Sequence, residues 1–453
     1  MKKVFASVSL LALGAAGAAT IAAGADNGDK PWSVTGSLRG FYDDNINTAP
    51  NHTPGKVSSL GVEVKPGASL DFDWGATKLQ ASYLYDMRYY DQRHNTDQSH
   101  DIEFNLDHNI SERYALNLSD SFVIAQEPDV IAGTGAFATP IRSNGNNVRN
   151  TASINFRAQL TRLFGLVVGY ANNFLDYQES FGTSLDQTQP SRSAVLDRDE
   201  HQFHVDTTWQ VAPETTAILG YSFGAIYYSS AESILNDPIP APGSGSPPYP
   251  YAGSFFVPSS SRDNYAHGFY VGLDHAFLPE LTGSIRAGLQ YIDYYNDVNL
   301  TTLPVLQRQS HSTLSPYVDM TLSYMYMKDG ILKFGFRHAH NQTDVTATTA
   351  NLGAGVTLDE ESSVVYGSIS QKLTPISPRL SGTLTAQYQN SVWNQGPGNG
   401  STENLYLLGL GLNYQFNQYL SAECGYNYDL VRSDLQGRGY QRNQIFVGVG
   451  VMY

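Results

Sequence analysis

Cysteine is almost absent from this 453-residue chain: Cys424 stands alone, so no intrachain disulfide can form, and no Cys-x-x-Cys-His pattern offers a haem attachment point. Charge is sparse as well. Lys, Arg, Asp and Glu make up 15% of the residues, acids outnumber bases by 42 to 27, and the formal charge is −15. Nucleic acid is thereby a poor partner, because phosphate binding needs clustered Lys and Arg. Past residue 25 no apolar run approaches the roughly 18 residues that a spanning helix requires. No G-x-S-x-G string lies on a strand-turn-helix, and Walker glycine loops and H-E-x-x-H are missing. No enzymatic activity, cofactor or metal site is expected.

At the start, Lys2 and Lys3 precede an apolar stretch over residues 4–23, and Ala23-Gly24-Ala25 before Asp26 fits a small-x-small cleavage site. Residues 1–25 read as a cleaved secretory signal peptide and residues 26–453 as the mature chain. Loss of the two lysines takes the formal charge from −15 to −17.

What is abundant is Tyr (30), Phe (20) and Gly (41), arranged in alternation. In one segment Leu281, Gly283, Ile285, Ala287, Leu289 and Tyr291 share one face while Thr282, Ser284, Arg286, Gly288 and Gln290 share the other. Period two is the signature of a strand. After a secretory leader, such strands with no spanning helix point to a transmembrane barrel with apolar side chains toward lipid and polar ones toward a lumen. Cys424 falls on the apolar face, and His338 and His340 extend an apolar stripe toward the interface.

Short connections are expected at residues 73–77, 108–113, 160–165, 211–215, 277–281, 327–331, 373–380 and 416–420. Longer ones, rich in Gly, Pro, Asn, Ser and Asp, are expected near 46–57, 93–98, 127–146, 181–196, 231–262, 298–309, 346–359, 394–402 and 433–440. Eight turns and nine loops predict eighteen strands. The fold class is therefore all-β: a closed antiparallel up-and-down transmembrane β-barrel of about 18 strands in the bacterial outer membrane, with both termini periplasmic. Residues 230–262, carrying seven prolines, are long enough to constrict the pore or cap it.

Assigning the polar faces inward yields candidate pore-lining residues Arg39, Asp43, Glu63, Lys65, Lys78, Asp86, Arg88, Glu103, Arg157, Asp206, Asp274, Arg286, Asp319, Lys333, Arg337, Lys372, Glu423 and Asp429. The signs nearly balance, which predicts weak ion selectivity or a lumen braced by salt bridges. Tyr90, Tyr270, Tyr294, Tyr317 and Tyr366 fall on the same face and offer rings on which sugars could stack.

The segment at residues 36–47, GSLRGFYDDNIN, resembles the first strand of the putative beta-barrel porin 2 family around Tyr42 to Asn45. That resemblance implies an outer-membrane channel; some relatives accompany exopolysaccharide export. Expected partners are outer-membrane lipid and lipopolysaccharide, the barrel-insertion machinery, and polysaccharide or export proteins under the second reading; oligomeric state is not legible. The main expectation is passive diffusion of small hydrophilic solutes. The alternatives are an exopolysaccharide export or surface-assembly component, and a structural or adhesive barrel with a closed lumen.

Overall fold

The computed structural model describes residues 30–453 except 52, 127–145, 179–190, 233, 235–237, 241–250, 255–257, 297–310, 343–358, 395–397 and 436. Eighteen strands follow one another: β1 (Trp32–Asp43), β2 (Ser59–Asp73), β3 (Thr77–Tyr90), β4 (Asn95–Asn109), β5 (Tyr114–Ala125), β6 (Asn147–Gln159), β7 (Phe164–Tyr177), β8 (Arg198–Ala212) and β9 (Thr215–Tyr228), then β10 (Asn264–Leu278), β11 (Leu281–Asp293), β12 (Ser312–Met327), β13 (Gly330–Asn341), β14 (Asp359–Lys372), β15 (Leu380–Asn394), β16 (Thr402–Gln415), β17 (Leu420–Ser433) and β18 (Tyr440–Met452). Each pairs antiparallel with its neighbours in sequence. The ring closes where β1 meets β18, with Arg39 opposite Gly448 on one side and Glu63 on the other. Closure leaves this sheet without an open edge, which is what spanning a bilayer with strands requires.

Alternation explains the wall. In β1, Leu38 is 51% exposed and in β18 Val447 is 64% exposed, while their inward neighbours Arg39 and Phe41 are buried. The apolar side chains thus face out, the reverse of a soluble sheet. All eight expected short turns connect strands at one rim, and both barrel ends lie at that rim, where Val34 and Tyr453 exchange backbone hydrogen bonds. The strand starting at Asn95 cuts into the loop expected at 93–98, because the chain reverses within residues 91–94, helped by His94 at φ 50°.

The outer surface carries a girdle of cross-strand polar pairs that reach from mid-strand tyrosines toward the long-loop rim. Tyr83 bonds His100 (2.9 Å), Tyr170 bonds His201 (2.8 Å), Tyr221 bonds His267 (2.9 Å), Tyr388 bonds Asn404 (2.8 Å) and Tyr426 bonds Asn443 (2.8 Å). In every case the partner sits two residues along from the directly opposite one, so one geometric rule repeats around the wall. Aromatic pairs such as Phe164 with Trp209 and Tyr419 with Tyr453 mark the other interface. Seven residues of tilted strand separate the two levels, about 20 Å of apolar wall.

Aspartates tie the long-loop rim. Asp197 accepts from the Tyr177 amide, Asp263 from the Tyr228 amide (both 2.7 Å), Asp44 from the Asn443 amide (2.7 Å) and Asp434 from the Thr402 amide (2.8 Å). A five-residue helix α1 (Arg192–Leu196), capped by Ser191, packs Val195 and Leu196 on Leu175 and Tyr177. The expected interfacial pair of histidines divides here. His338 bonds Ser363 on the outer face (2.8 Å), whereas His340 is buried at the rim with Asp359 and the Tyr294 hydroxyl. Both partners come from other parts of the chain, at the start of β14 and just past β11, which strand periodicity cannot reveal.

Candidate functional site: the lumen

Strand register places all eighteen expected lumen residues on the inward face, in four groups. The first surrounds the closing seam. Arg39 makes a two-pronged contact with Glu423 (Nε to Oε1 2.5 Å, Nη2 to Oε2 2.9 Å) and reaches Glu63 through Nη1 at 3.0 Å. Lys65 lies 3.1 Å from Glu63 and 3.2 Å from Asp86, and Arg88 bonds both acids at 2.6 and 2.9 Å. Asp429 accepts from Arg442 Nε at 2.7 Å, and Asp43 accepts from the Asn45 amide at 2.9 Å. Of these side chains Arg39, Glu63, Lys65, Asp86 and Glu423 are all less than 10% exposed. Such a network satisfies its charges internally and presents little net charge to a passing ion.

The second group lines β8 to β13. Tyr270 donates to Asp206 at 2.5 Å, Arg286 lies 3.5 Å from Asp274, and Arg286, Asp319 and Arg337 are successive cross-strand partners. These side chains are half-buried rather than sealed. The third group, Lys78, Arg157, Lys333 and Lys372, is exposed near the short-turn rim, with Lys78 paired to Asp73 at 3.3 Å. Glu103 stands apart. It is exposed on β4 between Ser82 and Ser121, in a wall of small polar groups where Ser119 bonds Ser153 (2.7 Å) and Asn117 bonds Asn105 (3.1 Å) and Asp107 (2.9 Å).

Tyr90, Tyr270, Tyr317 and Tyr366 share the inward face, but they do not form one track. Tyr90 is sealed against Phe41 and Ile46 at the seam, Tyr294 is buried at the rim beside His340, and Tyr270 and Tyr317 meet at 5.9 Å between ring centres. Arg442 and the Glu403–Arg438 pair (2.9 Å) were missing from the expected set. For Arg442 the signal was available: it continues the inward parity of Phe446 and Gly448. Gly220-Tyr221-Ser222-Phe223-Gly224 does spell G-x-S-x-G, but it lies in mid-strand on β9, with no turn to expose a nucleophile.

Outside the strands, burial raises the Asp197 carboxyl to about 6 and also raises Asp263, while the Thr402 hydroxyl and amide hold Asp434 below the usual carboxylate range. About half of the stretch 230–262, expected to constrict or cap the pore, lies outside the described residues, and its described part includes a small antiparallel pair, Pro238–Pro240 with Tyr251–Ser254, separate from the eighteen-stranded sheet. Of its described part, Ile234 is buried and Arg262 is tied to the Val195 carbonyl at 2.8 Å and stacked over Tyr228.

Among solved structures, Pseudomonas aeruginosa OpdK, crystallised with vanillate, is 13% identical, with a TM-score of 0.43 over 93% of this chain and 99% of that one. Pseudomonas aeruginosa OccK2 (OpdF), in complex with glucuronate, is 10% identical, with a TM-score of 0.43 over 93% and 98%. Acinetobacter baumannii OccAB4 is 12% identical, with a TM-score of 0.41 over 94% and 99%. No curated protein matches. Residues 337–453, from β13 to the final strand, match the family described as Putative beta-barrel porin 2. The family that the opening strand resembles is thereby matched at the other end of the barrel.

Proposed function

We propose that this barrel is a passive outer-membrane channel for small hydrophilic solutes, with no chemical step. The observation that carries the reading is the inversion of the wall: a closed ring of eighteen strands, apolar outside and lined with ions and hydroxyls inside. Barrels of 16 to 18 strands are wide enough to leave an aqueous channel, and an interior of mixed sign favours water and polar solutes over one class of ion. Passage is then diffusion along a wetted wall, limited by whatever the long-loop rim projects inward. The short-turn rim, which holds both ends of the barrel, is the periplasmic side.

The test is single-channel conductance of the refolded mature protein in planar bilayers, with reversal potentials under a salt gradient, for the intact chain and for a variant lacking residues 235–257. Stable conductance of weak ion selectivity is the expected result. Silence from the intact chain with current from the shortened one would make the loop a plug and favour gated export. Silence from both would leave a structural barrel.

A further inference from the structure

Two lumen tyrosines on the β8 to β14 wall lie flat against it. A Cβ placed at Gly220 would fall 2.2 Å from the Tyr270 ring, and one at Gly335 would fall 2.0 Å from the Tyr366 ring. Only glycine leaves room for a ring to rest on the neighbouring strand, so one face is spent on the wall and the other is turned to the lumen. Tyr317 stands beside Tyr270, and all three rings are half-buried, not sealed. The row of Arg286, Asp319 and Arg337 runs between them: Tyr270 and Tyr317 lie one inward position to one side of that row, and Tyr366 one inward position to the other.

The chemistry of this patch has two parts. Open ring faces offer an apolar platform with a hydroxyl edge. Planar guanidinium and carboxylate groups accept or donate in pairs. Asp206, Asp274 and Asp319 against Arg286 and Arg337 sum formally to −1, and Arg286 already faces Asp274 and Asp319. An anionic solute gains little here. A pyranose, with an apolar C–H face and hydroxyls around its edge, matches both parts. We infer that this wall is a binding track for neutral sugars crossing the lumen, an inference that rests on reading the lumen as a solute pathway. Barrel filling alone is served differently at the seam, where Phe41 covers Gly61 and Phe446 covers Gly425, and where Phe41 is closed off by Tyr90 and Ile46.

The experiment measures block of the potassium chloride current through the intact protein by maltotriose, with sodium glucuronate and a polyethylene glycol of similar mass as comparators. Maltotriose is expected to reduce the current saturably. Tyr317→Ala and Tyr366→Ala should each raise the half-blocking concentration, read against each variant's own salt current, by up to about tenfold. Tyr317→Phe and Tyr366→Phe, which keep the ring, should retain most of the block and guard against misfolding of the alanine variants. Block no stronger than that by polyethylene glycol, or stronger block by glucuronate, would sink the sugar track and leave the channel standing. Absence of any salt current would sink the pathway reading and the track with it.

Discussion

The seam wall, β1 to β3 with β17 and β18, and the tyrosine wall, β8 to β14, use the same residue types on the same lattice, yet they differ in what water can reach. At the seam each cation touches at least one carboxylate within about 3 Å, and most of these side chains are sealed. On the tyrosine wall, away from the sealed Arg198–Glu200 pair at its rim, Arg286 approaches Asp274 more loosely, at 3.5 Å, and Tyr270, Tyr317, Tyr366, Arg286 and Arg337 stay half-open. An ion that is paired and dry holds strands together, whereas one that is wet remains free to meet a solute. Inward-facing charge therefore has two uses in one lumen, and solvent access separates them.

The sharpest way to break the comparison is to remove one charge from each wall. Arg39→Ala takes the guanidinium from Glu423 in a dry site and leaves Glu63 to Lys65 and Arg88 alone, and should cost about 3–5 kcal/mol in urea unfolding of the refolded barrel. Arg286→Ala, at a wetter pair, should cost no more than about 1 kcal/mol. Equal losses would erase the distinction. Filling the glycine under a ring is the next test. A methyl at Gly61 meets the Phe41 ring at 2.1 Å and the Tyr89 carbonyl at 2.5 Å, so Gly61→Ala should destabilise by about 1–3 kcal/mol. At Gly335 the nearest atoms it meets are those at the outer end of the Tyr366 ring. That ring can swing away, so Gly335→Ala should leave stability nearly intact and weaken maltotriose block.

The rim supplies a pH test. Asp197 titrates near 6 because it is buried, against about 3.9 in an unfolded chain. The folded rim then binds the extra proton between these values, and stability it gains below pH 4 is lost as pH rises through 6. The protection factor of the Tyr177 amide, which donates to Asp197, should be larger at pH 5 than at pH 7 once the intrinsic base catalysis of exchange is divided out. Asp197→Asn should flatten that difference, and an unchanged slope in the variant would assign it to another group. The smallest effect is expected at Glu103, exposed among serines: Glu103→Lys should move the reversal potential a few millivolts toward anions, in line with a lumen of mixed sign.

Much of this was legible in the chain because a barrel strand has period two and its turns are short. Leu281 to Tyr291 announces both faces of β11, and the eight tight connections set the strand count. Even Arg442, passed over, obeyed the parity of its strand. What parity cannot carry is lateral position. His340 continues the outward stripe of Phe334 and Phe336, yet it ends buried with Asp359 and the Tyr294 hydroxyl, partners that its own strand does not supply.

By itself the sequence determined which side chains face lipid and which face the lumen, since alternation in a strand admits two faces and the bilayer selects between them. Only the tertiary structure decided which lumen charges are paired. Arg39 meets Glu423, 384 residues away, only because the first and last strands close the ring. Likewise Gly335 explains nothing until the register lays Tyr366 across it. Facing is a local property of the backbone, and partnership is a property of closure.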